Sequence, residues 1–301
     1  MKITELNMSL STSALSNNSK PSVAILYIAT GRYTVFWDYF YKSAEKYLLP
    51  DCNKHYILFT DSDALIDSFR TKSDQVTALK KEAMEWPFCT LMRFRFFLDA
   101  ENIIKQHDFV FFFNANTEFL STITQYDLLP LGSHENLTLC LQPHMFHRNR
   151  EKYTYDRNPK STAYIAYGEG KYYFTGALNG GKSAAFLDLC HTLYNNTQSD
   201  LKQDIIALWH DESHLNKFAL GREDIKILPP YFTRGEREYW KKTSKLMFSD
   251  KSHYRFGGHA YLRSETDEKI TQAEWNKKNA KRRRKLKFRA KQYISSLLFR
   301  Q

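Results

Sequence analysis

The sequence FVFFFNANTEFL occupies residues 109–120. Five apolar residues that end abruptly at a polar one are typical of a strand buried on both faces of a sheet. Similar apolar runs predict strands at 22–30 and 54–61, and apolar residues at helical spacing predict helices at 37–49 and 90–106. Strands and helices that alternate in this way indicate an α/β domain with a mostly parallel, Rossmann-like sheet and helices on both faces.

Polar residues stand where each of these three strands ends. They are Thr30, Asp61 and the pair Asn114 and Asn116. Because ligands bind at the carboxyl ends of strands in such sheets, these positions are the first candidates for a binding site. The spacing of the two amides alone is equally compatible with an Asn-rich turn. Further strands are predicted at 137–142 and 171–178, and further helices at 182–197 and 199–209, the last capped by Ser199 or Asp200.

The composition is that of a globular protein. Of the 301 residues, 42% are hydrophobic and 15% aromatic, which excludes a disordered or fibrous chain. No run reaches the roughly 18 apolar residues that a membrane-spanning helix needs. Segment 1–20 lacks the apolar core of a signal peptide and is predicted to be disordered. Four widely separated cysteines favour reduced thiols. We therefore expect a cytoplasmic protein with its catalytic domain at 21–263 and a polar linker from 264.

The net charge of +11 is concentrated at the end of the chain. Residues 281–301 carry nine Lys or Arg and no acid, so the first 280 residues carry only +2. Leu286, Ala290 and Leu297 recur at helical spacing opposite basic residues, a pattern typical of a helix that lies in a membrane interface. We expect this tail to attach the protein peripherally to the inner membrane. The alternative is a solvated charge run that adheres to RNA, and nucleic acid is not expected as a partner.

A second pattern suggests a phosphate-binding loop. Residues Gly176 to Ser183 read GALNGGKS and satisfy GxxxxGK[ST] after a predicted strand. In a nucleotidase, Lys182 would hold phosphates and Ser183 a magnesium ion. Such an enzyme also needs an apolar strand ending in Asp, and none follows this segment. The other interpretation is a glycine turn where the backbone closely approaches another group.

The sequence HDESH at 210–214 suggests a zinc hydrolase, because two His residues at i and i+4 share one face of a helix. That chemistry requires Glu directly after the first His, where Asp211 stands instead, with Glu212 about 100° further around a helix. No third ligand is evident. Two adjacent acids between histidines are either solvated surface or carboxylates in a site, and we favour the site.

Four segments, taken together, carry a family resemblance. They are FFFNANTEFL at 111–120, YTYDRNP at 153–159, YYFTGALNGG at 172–181 and WHDESHLNK at 209–217. In this order they resemble glycosyltransferase family 6, the family of the blood-group A and B transferases and α1,3-galactosyltransferase, over about residues 23–230. The resemblance implies the GT-A fold. It also implies transfer of galactose or GalNAc from UDP to the 3-hydroxyl of a galactose, with retention of the α configuration.

The resemblance assigns roles to individual residues. Glu212 matches the catalytic acid on the β face of the anomeric carbon, acting as nucleophile or stabilising an oxocarbenium-like ion. Asp211 and Arg93 match groups that hold donor hydroxyls, and Thr175 to Ala177 match the stretch that reads the donor C2 substituent. The implied donor-binding residues are Ile28, Thr30, Tyr33, Arg93, Asn114, Asn116, Thr175, Gly176, Ala177 and Asp211; the implied acceptor-binding residues are Gln142, Thr154, Trp209, His210 and Glu212.

The main departure from the family lies at Asn114-Ala115-Asn116. Animal members carry Asp-x-Asp there and bind manganese, whereas bacterial members that share the Asn form are metal-independent. Two neutral amides in place of two carboxylates make a poor site for a hard cation. We therefore expect no metal or other cofactor. The diphosphate leaving group then requires protein cations, for which the candidates are Lys251, Arg255 and Arg263.

Donor and acceptor are less constrained. Gln142 stands where relatives carry His, and the run from Pro229 to Glu236 departs from the family pattern. A fucosylated galactoside, as in blood-group-like surface glycans, is the leading acceptor. Ala177 favours UDP-Gal by its bulk, while the small Thr175 leaves room for an N-acetyl group, so we prefer UDP-GalNAc. A P-loop nucleotidase using Gly176–Ser183 and a non-catalytic, lectin-like relative are the alternatives, and the presence of both Asp211 and Glu212 argues against the second.

Overall fold

The computed structural model describes residues 20–70, 75–238 and 243–280. Its strands are β1 (Ser22–Ile28), β2 (Asn53–Thr60), β3 (Val76–Lys80), β4 (Phe109–Phe113), β5 (Thr117–Phe119), β6 (Leu137–Leu141), β7 (Phe174–Lys182), β8 (Ile225–Leu228), β9 (Thr233–Gly235) and β10 (Leu246–Phe248). Its α-helices are α1 (Trp37–Tyr47), α2 (Asp63–Arg70), α3 (Phe88–Leu91), α4 (Arg93–Leu98), α5 (Glu101–Ile104), α6 (Gln125–Leu128), α7 (Ser183–Leu201), α8 (Asp211–Ala219) and α9 (His259–Leu262).

Seven strands form the central sheet in the order β3-β2-β1-β4-β7-β6-β8. The strands β3, β2, β1 and β4 are parallel to one another, and β6 is parallel to β8. Only β7 is reversed, since it pairs antiparallel with both β4 and β6. This mostly parallel sheet confirms the predicted α/β class.

Alternate residues of β1 pack into two hydrophobic cores, one on each face of the sheet. Val23 and Ile25 belong to the core that includes Phe40 of α1. Ala24 and Leu26 belong to the opposite core, which includes Phe97 of α4 and residues of α7 and α8. Because successive side chains of a strand point to opposite faces, the strand is apolar throughout and helices cover both sides.

A second sheet of three strands lies beside the carboxyl end of β4. Its order is β5-β10-β9, with β10 antiparallel to β5 and parallel to β9. This small sheet joins the segment directly after β4 to a segment far along the chain. It thereby brings residues 249–263 next to the end of β4.

Three local predictions are wrong. The single helix predicted at 90–106 is three short helices, α3 to α5, broken at Met92 and Ala100. Phe94 and Phe97 lie three residues apart on α4, and both pack into the core. The separate helix predicted at 199–209 is absent, because α7 continues to Leu201 and turns follow. Asp200 is not its cap: the carboxylate accepts hydrogen bonds from Ser161 Oγ (2.6 Å) and Thr162 N (2.7 Å).

The predicted glycine turn is also wrong, because Gly176, Gly180 and Gly181 lie within β7. A Cβ atom on Gly180 would overlap the Phe111 ring and the Val110 carbonyl of β4. The glycines therefore serve the close approach that the sequence suggested, between neighbouring strands rather than at a turn.

Residues 264–280, predicted as a linker, contain a helical stretch at 272–280. Its Trp275 ring lies 4.2 Å from the His253 ring, so this stretch contacts the catalytic body. The segment predicted to be disordered, 1–20, lies outside the described residues except for residue 20, and so does the basic tail at 281–301. Within the described ranges, no helix combines the length and apolar character needed to cross a membrane. All four cysteines are free thiols, as predicted.

Candidate active site

A cleft opens where β1 and β4 end, at the edge of the sheet that the sequence indicated. Seven predicted donor-binding residues line this cleft, together with side chains from the segment before α4 and from residues 251–263. The lining residues are Ile28, Thr30, Tyr33, Trp86, Cys89, Thr90, Arg93, Phe112, Asn114, Ala115, Lys251, His259 and Arg263.

The reversed strand β7 completes the cleft. Because β7 runs antiparallel to β4, its first residues lie beside the last residues of β4, and Asn114 N donates to Ala177 O at 2.9 Å. Thr175 is buried there, and its hydroxyl accepts from Ala177 N at 3.2 Å. The three residues predicted to read the donor sugar are thus next to the predicted diphosphate region.

Glu212 lies in the first turn of α8 and is held by two donors from β7 and the residue preceding it. Tyr173 Oη donates to Glu212 Oε1 at 3.0 Å, and Gly176 N donates to Oε2 at 2.8 Å. Both carboxylate oxygens are therefore fixed in orientation. The start of a helix is also a favourable place for a negative charge.

Asp211 precedes Glu212 and pairs with the buried Arg93. Arg93 Nη1 lies 3.0 Å from Asp211 Oδ2 and donates to Gly176 O at 2.8 Å. A Cβ atom on residue 176 would lie 2.8 Å from Asp211 Oδ2, so glycine leaves the space that this carboxylate fills. The guanidinium of Arg93 stacks 4.5 Å from the Phe112 ring centre. We call Asp211 and Glu212 the carboxylate wall.

The two carboxyl groups of the carboxylate wall are buried, and burial determines the direction in which their pKa values shift. Burial raises the pKa of Glu212 to about 7, opposed by the Gly176 N–H and Tyr173 hydrogen bonds and reinforced by the Asp211 charge. Burial likewise raises the pKa of Asp211 to about 6, opposed by the Arg93 charge. Carboxyl groups whose pKa lies near neutrality are typical of catalytic sites.

The cleft itself is lined by cationic side chains. Lys251 Nζ lies 5.1 Å from the Tyr33 ring centre, and the Arg263 guanidinium lies 5.1 Å from that of Trp86. Burial, with the nearby charges of Arg93 and Arg263, lowers the pKa of Lys251 to about 8. We call Lys251 and Arg263 the cation wall. Arg263 has an acidic neighbour, Glu265, at 3.5 Å, whereas no ion pair to Lys251 occurs among the described residues.

The predicted acceptor residues surround the carboxylate wall. Thr154 Oγ1 donates to Tyr173 Oη at 3.1 Å, so Thr154 connects to Glu212 through the Tyr173 hydroxyl. Gln142 is joined to Tyr173 only through the backbone, from Gln142 N to Tyr173 O at 2.8 Å. Trp209 is 49% exposed, which leaves its ring available to an acceptor.

His210 lies outside α8, with the positive φ of 51° that a non-glycine residue rarely adopts. Its Nδ1 lies 3.3 Å from Thr90 Oγ1, and its ring makes an edge contact with Trp86.

Two predicted donor-binding side chains are engaged elsewhere. Asn116 Nδ2 donates to the carbonyl oxygen of Ser249 at 2.7 Å, and Asn116 Oδ1 accepts from Asn114 Nδ2 at 3.0 Å. Arg255 Nη1 pairs with Glu236 at 2.9 Å, and Arg255 lines a neighbouring cavity rather than the cleft. Of the pair Asn114 and Asn116, only Asn114 faces the cleft.

The structure contradicts both alternative motifs. Lys182 lies at the end of β7, and its Nζ donates to Asn136 Oδ1 at 3.1 Å, so no phosphate-binding loop is formed. His214 is buried on α8 while His210 precedes the helix, so the two do not share a helical face. In the described parts of the chain no three His, Cys, Asp or Glu side chains are grouped as metal ligands would be.

Sequence reasoning missed several cleft residues. Tyr173 belongs to a quoted motif, but nothing in its spacing shows that its hydroxyl reaches Glu212. Trp86, Cys89 and His259 line the cleft from segments in which no motif was recognised. The exposed aromatic residues Trp86 and Phe88 beside Pro87 were the available signal for a cleft-side loop.

A mostly parallel α/β sheet with a cation-lined cleft at its strand ends is consistent with the GT-A fold of glycosyltransferases. The chain belongs to glycosyltransferase family 6, whose family model matches residues 12–253.

Curated relatives agree with this assignment. The O-antigen biosynthesis glycosyltransferase WbnI of Escherichia coli is 32% identical over 238 residues, covering 78% of this chain and 97% of the relative. The globoside alpha-1,3-N-acetylgalactosaminyltransferase 1 of Gallus gallus is 28% identical over 225 residues, covering 72% of this chain and 63% of the relative. The histo-blood group ABO system transferase 2 of Rattus norvegicus is 25% identical over 215 residues, covering 70% of this chain and 63% of the relative. The match thus spans less than two thirds of each of these two animal proteins.

Proposed function

We propose that this glycosyltransferase moves GalNAc, or alternatively galactose, from UDP to the 3-hydroxyl of a galactose acceptor, with retention of configuration and without a metal ion. The observation that carries the proposal is the fixed carboxylate of Glu212, which adjoins, through Asp211 and its ion pair with Arg93, a cleft lined by Arg93, Lys251 and Arg263. A carboxylate next to a cleft that holds a set of cations suits a donor that carries positive charge at its anomeric carbon and negative charge on its leaving group during transfer.

Retention requires that Glu212 act on the β face of the anomeric carbon. As nucleophile, Glu212 forms a bond to C1 while the bonding pair leaves with UDP. The acceptor oxygen then displaces Glu212, which departs as a carboxylate, and the proton of the acceptor hydroxyl passes to the diphosphate of the released UDP. As ion stabiliser, Glu212 faces the oxocarbenium-like ion while the acceptor attacks from the side that UDP leaves. Both routes need Glu212 ionised, and the hydrogen bonds from Tyr173 and Gly176 favour that form.

The cation wall takes the role that manganese has in animal members. Lys251 and Arg263 lie in the cleft with Asn114, where the diphosphate of a donor bound at the strand ends would lie. Positive groups held at this position stabilise the charge that develops on the leaving UDP. We expect Asp211 and Arg93 to hold donor hydroxyls, because their mutual ion pair fixes both side chains beside Gly176.

Relatives support the choice of sugars. One is named as an α1,3-N-acetylgalactosaminyltransferase and another as a blood-group transferase, which favours GalNAc as donor sugar and a blood-group-like acceptor. The small Thr175 next to Gly176 is compatible with an N-acetyl group at the donor C2 position.

The decisive experiment is transfer in the absence of free metal. The protein is incubated with UDP-GalNAc, and separately with UDP-Gal, together with 2′-fucosyllactose in excess EDTA, and products are identified by mass spectrometry and linkage by NMR. We expect an α1,3-linked GalNAc product in EDTA. Product only after manganese is added would contradict metal independence, and a β-linked product would contradict retention.

The basic tail gives a separate proposal. We expect residues 281–301 to hold the protein at anionic membranes, since each basic residue contributes roughly 1 kcal/mol near such a surface. Full-length protein and a variant ending at residue 280 are compared by flotation with vesicles that contain phosphatidylglycerol. Equal flotation of the two proteins would disprove this role of the tail.

A further inference from the structure

Asn116 and Ser249 are joined by hydrogen bonds at the end of the small sheet. Ser249 directly follows β10, which pairs with β5 through Phe248 and Thr117. The backbone of Ser249 makes two hydrogen bonds to Asn116: Ser249 N donates to Asn116 O at 2.7 Å, and Asn116 Nδ2 donates to Ser249 O at 2.7 Å. The side-chain amide thus continues the ladder between β5 and β10 by one further bond. We call this pair of bonds the Asn116 clamp.

The clamp requires an amide at this position. An aspartate has nearly the same shape, but it would place a carboxylate oxygen against the Ser249 carbonyl oxygen with no proton between them. Asn116 is 6% exposed, so water cannot easily relieve that repulsion. Asn116 Oδ1 also accepts from Asn114 Nδ2, so the amide is oriented from both sides.

Other contacts secure the same segment without entering the cleft. Ser249 Oγ donates to the carboxylate of Glu118, and Asp250 N donates to Glu236 Oε2 at 2.6 Å. Arg255 bridges these two acids, with Nη1 at 2.9 Å from Glu236 and Nη2 at 3.8 Å from Glu118. The chain is therefore fixed immediately before Lys251, whose ammonium group lies in the cleft.

We propose that Asn116 is a positioning residue that acts on the donor through Lys251: its side-chain amide fixes Ser249 and thereby places the Lys251 ammonium group where the diphosphate binds. This proposal rests on the proposed role of the cation wall. It divides the work of the two asparagines, because Asn114 lines the cleft whereas Asn116 does not.

A double-mutant cycle tests this inference through UDP affinity, measured by isothermal titration calorimetry on the full chain in EDTA. Asn116→Asp in the unmodified chain is expected to weaken UDP binding about tenfold or more, because the clamp bond is replaced by repulsion. In a Lys251→Met background, Asn116→Asp is expected to weaken binding less than twofold. Two residues that act through one contact show this non-additivity.

Asn114 supplies the matched control. Asn114→Ala removes a cleft amide together with its hydrogen bond to Asn116 Oδ1, but it leaves the bond from Asn116 Nδ2 to the Ser249 carbonyl in place. The part of its effect on UDP affinity that comes from direct contact with the ligand should therefore persist in the Lys251→Met background. If Asn116→Asp fails to fold, judged by circular dichroism and thermal melting, Asn116→Ala carries the same cycle with a smaller expected loss. Manganese should not restore binding to Asn116→Asp.

The possible failures are distinct. If Lys251→Met weakens UDP binding and the Asn116 substitution weakens it by the same factor in both backgrounds, the positioning role is wrong while the cation wall stands. If Lys251→Met leaves UDP affinity unchanged, the cation wall itself is wrong and the positioning role falls with it. Restoration of Asn116→Asp by manganese would show a metal site and would overturn the clamp.

Discussion

The two walls of the cleft are held by different kinds of structure. The carboxylate wall belongs to the body of the domain, since Glu212 is bonded to Tyr173 and to the Gly176 N–H of β7. The cation wall belongs to residues 249–263, which are attached through the small sheet, through Asn116, and through Phe256 and Leu262 in the hydrophobic core. The proposed catalytic carboxylate is thus held by hydrogen bonds to the central sheet, whereas the proposed cations for the leaving group lie on a separate segment that is held by the small sheet and by two apolar side chains. Substitutions in the two walls should therefore fail in different ways.

Loss of the Glu212 charge should give the largest effect. Glu212→Gln keeps the shape of the side chain but removes the carboxylate, and we expect transfer to fall about a thousandfold or more. UDP affinity should change little, because the proposed contacts of the diphosphate are made by the cation wall and not by Glu212. Steady-state transfer and calorimetry with UDP measure the two quantities. Glu223→Gln, at an exposed position, is the control. Near-normal transfer by Glu212→Gln would remove the central assignment.

Loss of the Lys251 charge should give the next largest effect. Lys251→Met is expected to lower kcat/KM about a hundredfold and to weaken UDP binding at the same time. The reason is that the cation interacts with the diphosphate both in the transition state of transfer and in the UDP complex. The exposed Lys202→Met at the end of α7 is the matched control. If Lys251→Met impaired transfer while leaving UDP affinity intact, the distinction between the two walls would be wrong.

Removing the Tyr173 hydroxyl should give a moderate effect on the carboxylate wall alone. Tyr173→Phe deletes the donor to Glu212 Oε1 but keeps the ring stacked on Tyr155. We expect kcat to fall about tenfold, KM for the donor to stay nearly constant, and the acidic limb of the pH profile to move to higher pH, because the ionised form of Glu212 loses a hydrogen bond. Tyr153→Phe, in the same aromatic cluster, should move neither kcat nor the limb.

The pH profile should show both walls in the unmodified protein. The pKa of Glu212 is raised to about 7, so kcat/KM should fall below that pH as the carboxylate is protonated. The pKa of Lys251 is lowered to about 8, so kcat/KM should fall above that pH as the ammonium loses its charge. Between these values the rate should change only about twofold. Lys251→Arg, which stays charged, should abolish the alkaline limb; a limb that remains would assign it to another group.

The smallest effect is expected at Lys182, the residue that defined the phosphate-loop pattern. Its Nζ is bonded to Asn136 at the far end of β7, so Lys182→Ala should leave transfer and UDP affinity unchanged. Any nucleotide hydrolysis that disappears with this substitution would revive the nucleotidase interpretation.

The sequence predicts the parts of the fold that depend on local pattern. The apolar runs of β1, β2 and β4 are short and bounded by polar residues, and each strand lies within a residue or two of its predicted bounds. The role of the β7 glycines could not be predicted from local pattern. Gly180 makes room for Phe111, which becomes its neighbour only when the sheet has formed. The same limit applies at Asp200, which looks like a helix cap until Ser161 is brought beside it.

The residues of the candidate site also fall into those that local sequence predicts and those that only the folded chain brings together. Glu212 and Asp211 were found because the motif around them is contiguous. The positions of Asn116 and Arg255 could not be inferred, because their partners Ser249 and Glu236 lie on a separate segment and the pairing of β5 with β10 brings them together. Charge and proximity along the chain favoured Arg255 as a ligand for phosphate, but its ion pair with Glu236 satisfies that charge outside the cleft.

The course of β7 decides where this strand can accept a larger side chain. Gly180 and Gly181, near its end, pack against β4 and β6, and a Cβ atom at either position would overlap neighbouring atoms. Gly176, near its start, is equally constrained, because a Cβ atom there would lie 2.8 Å from Asp211 Oδ2. Ala177 and Lys182 are the two partly exposed residues of the strand. Added bulk along β7 is therefore accommodated at these two positions, whereas at the three glycines it must displace the sheet or the carboxylate of Asp211.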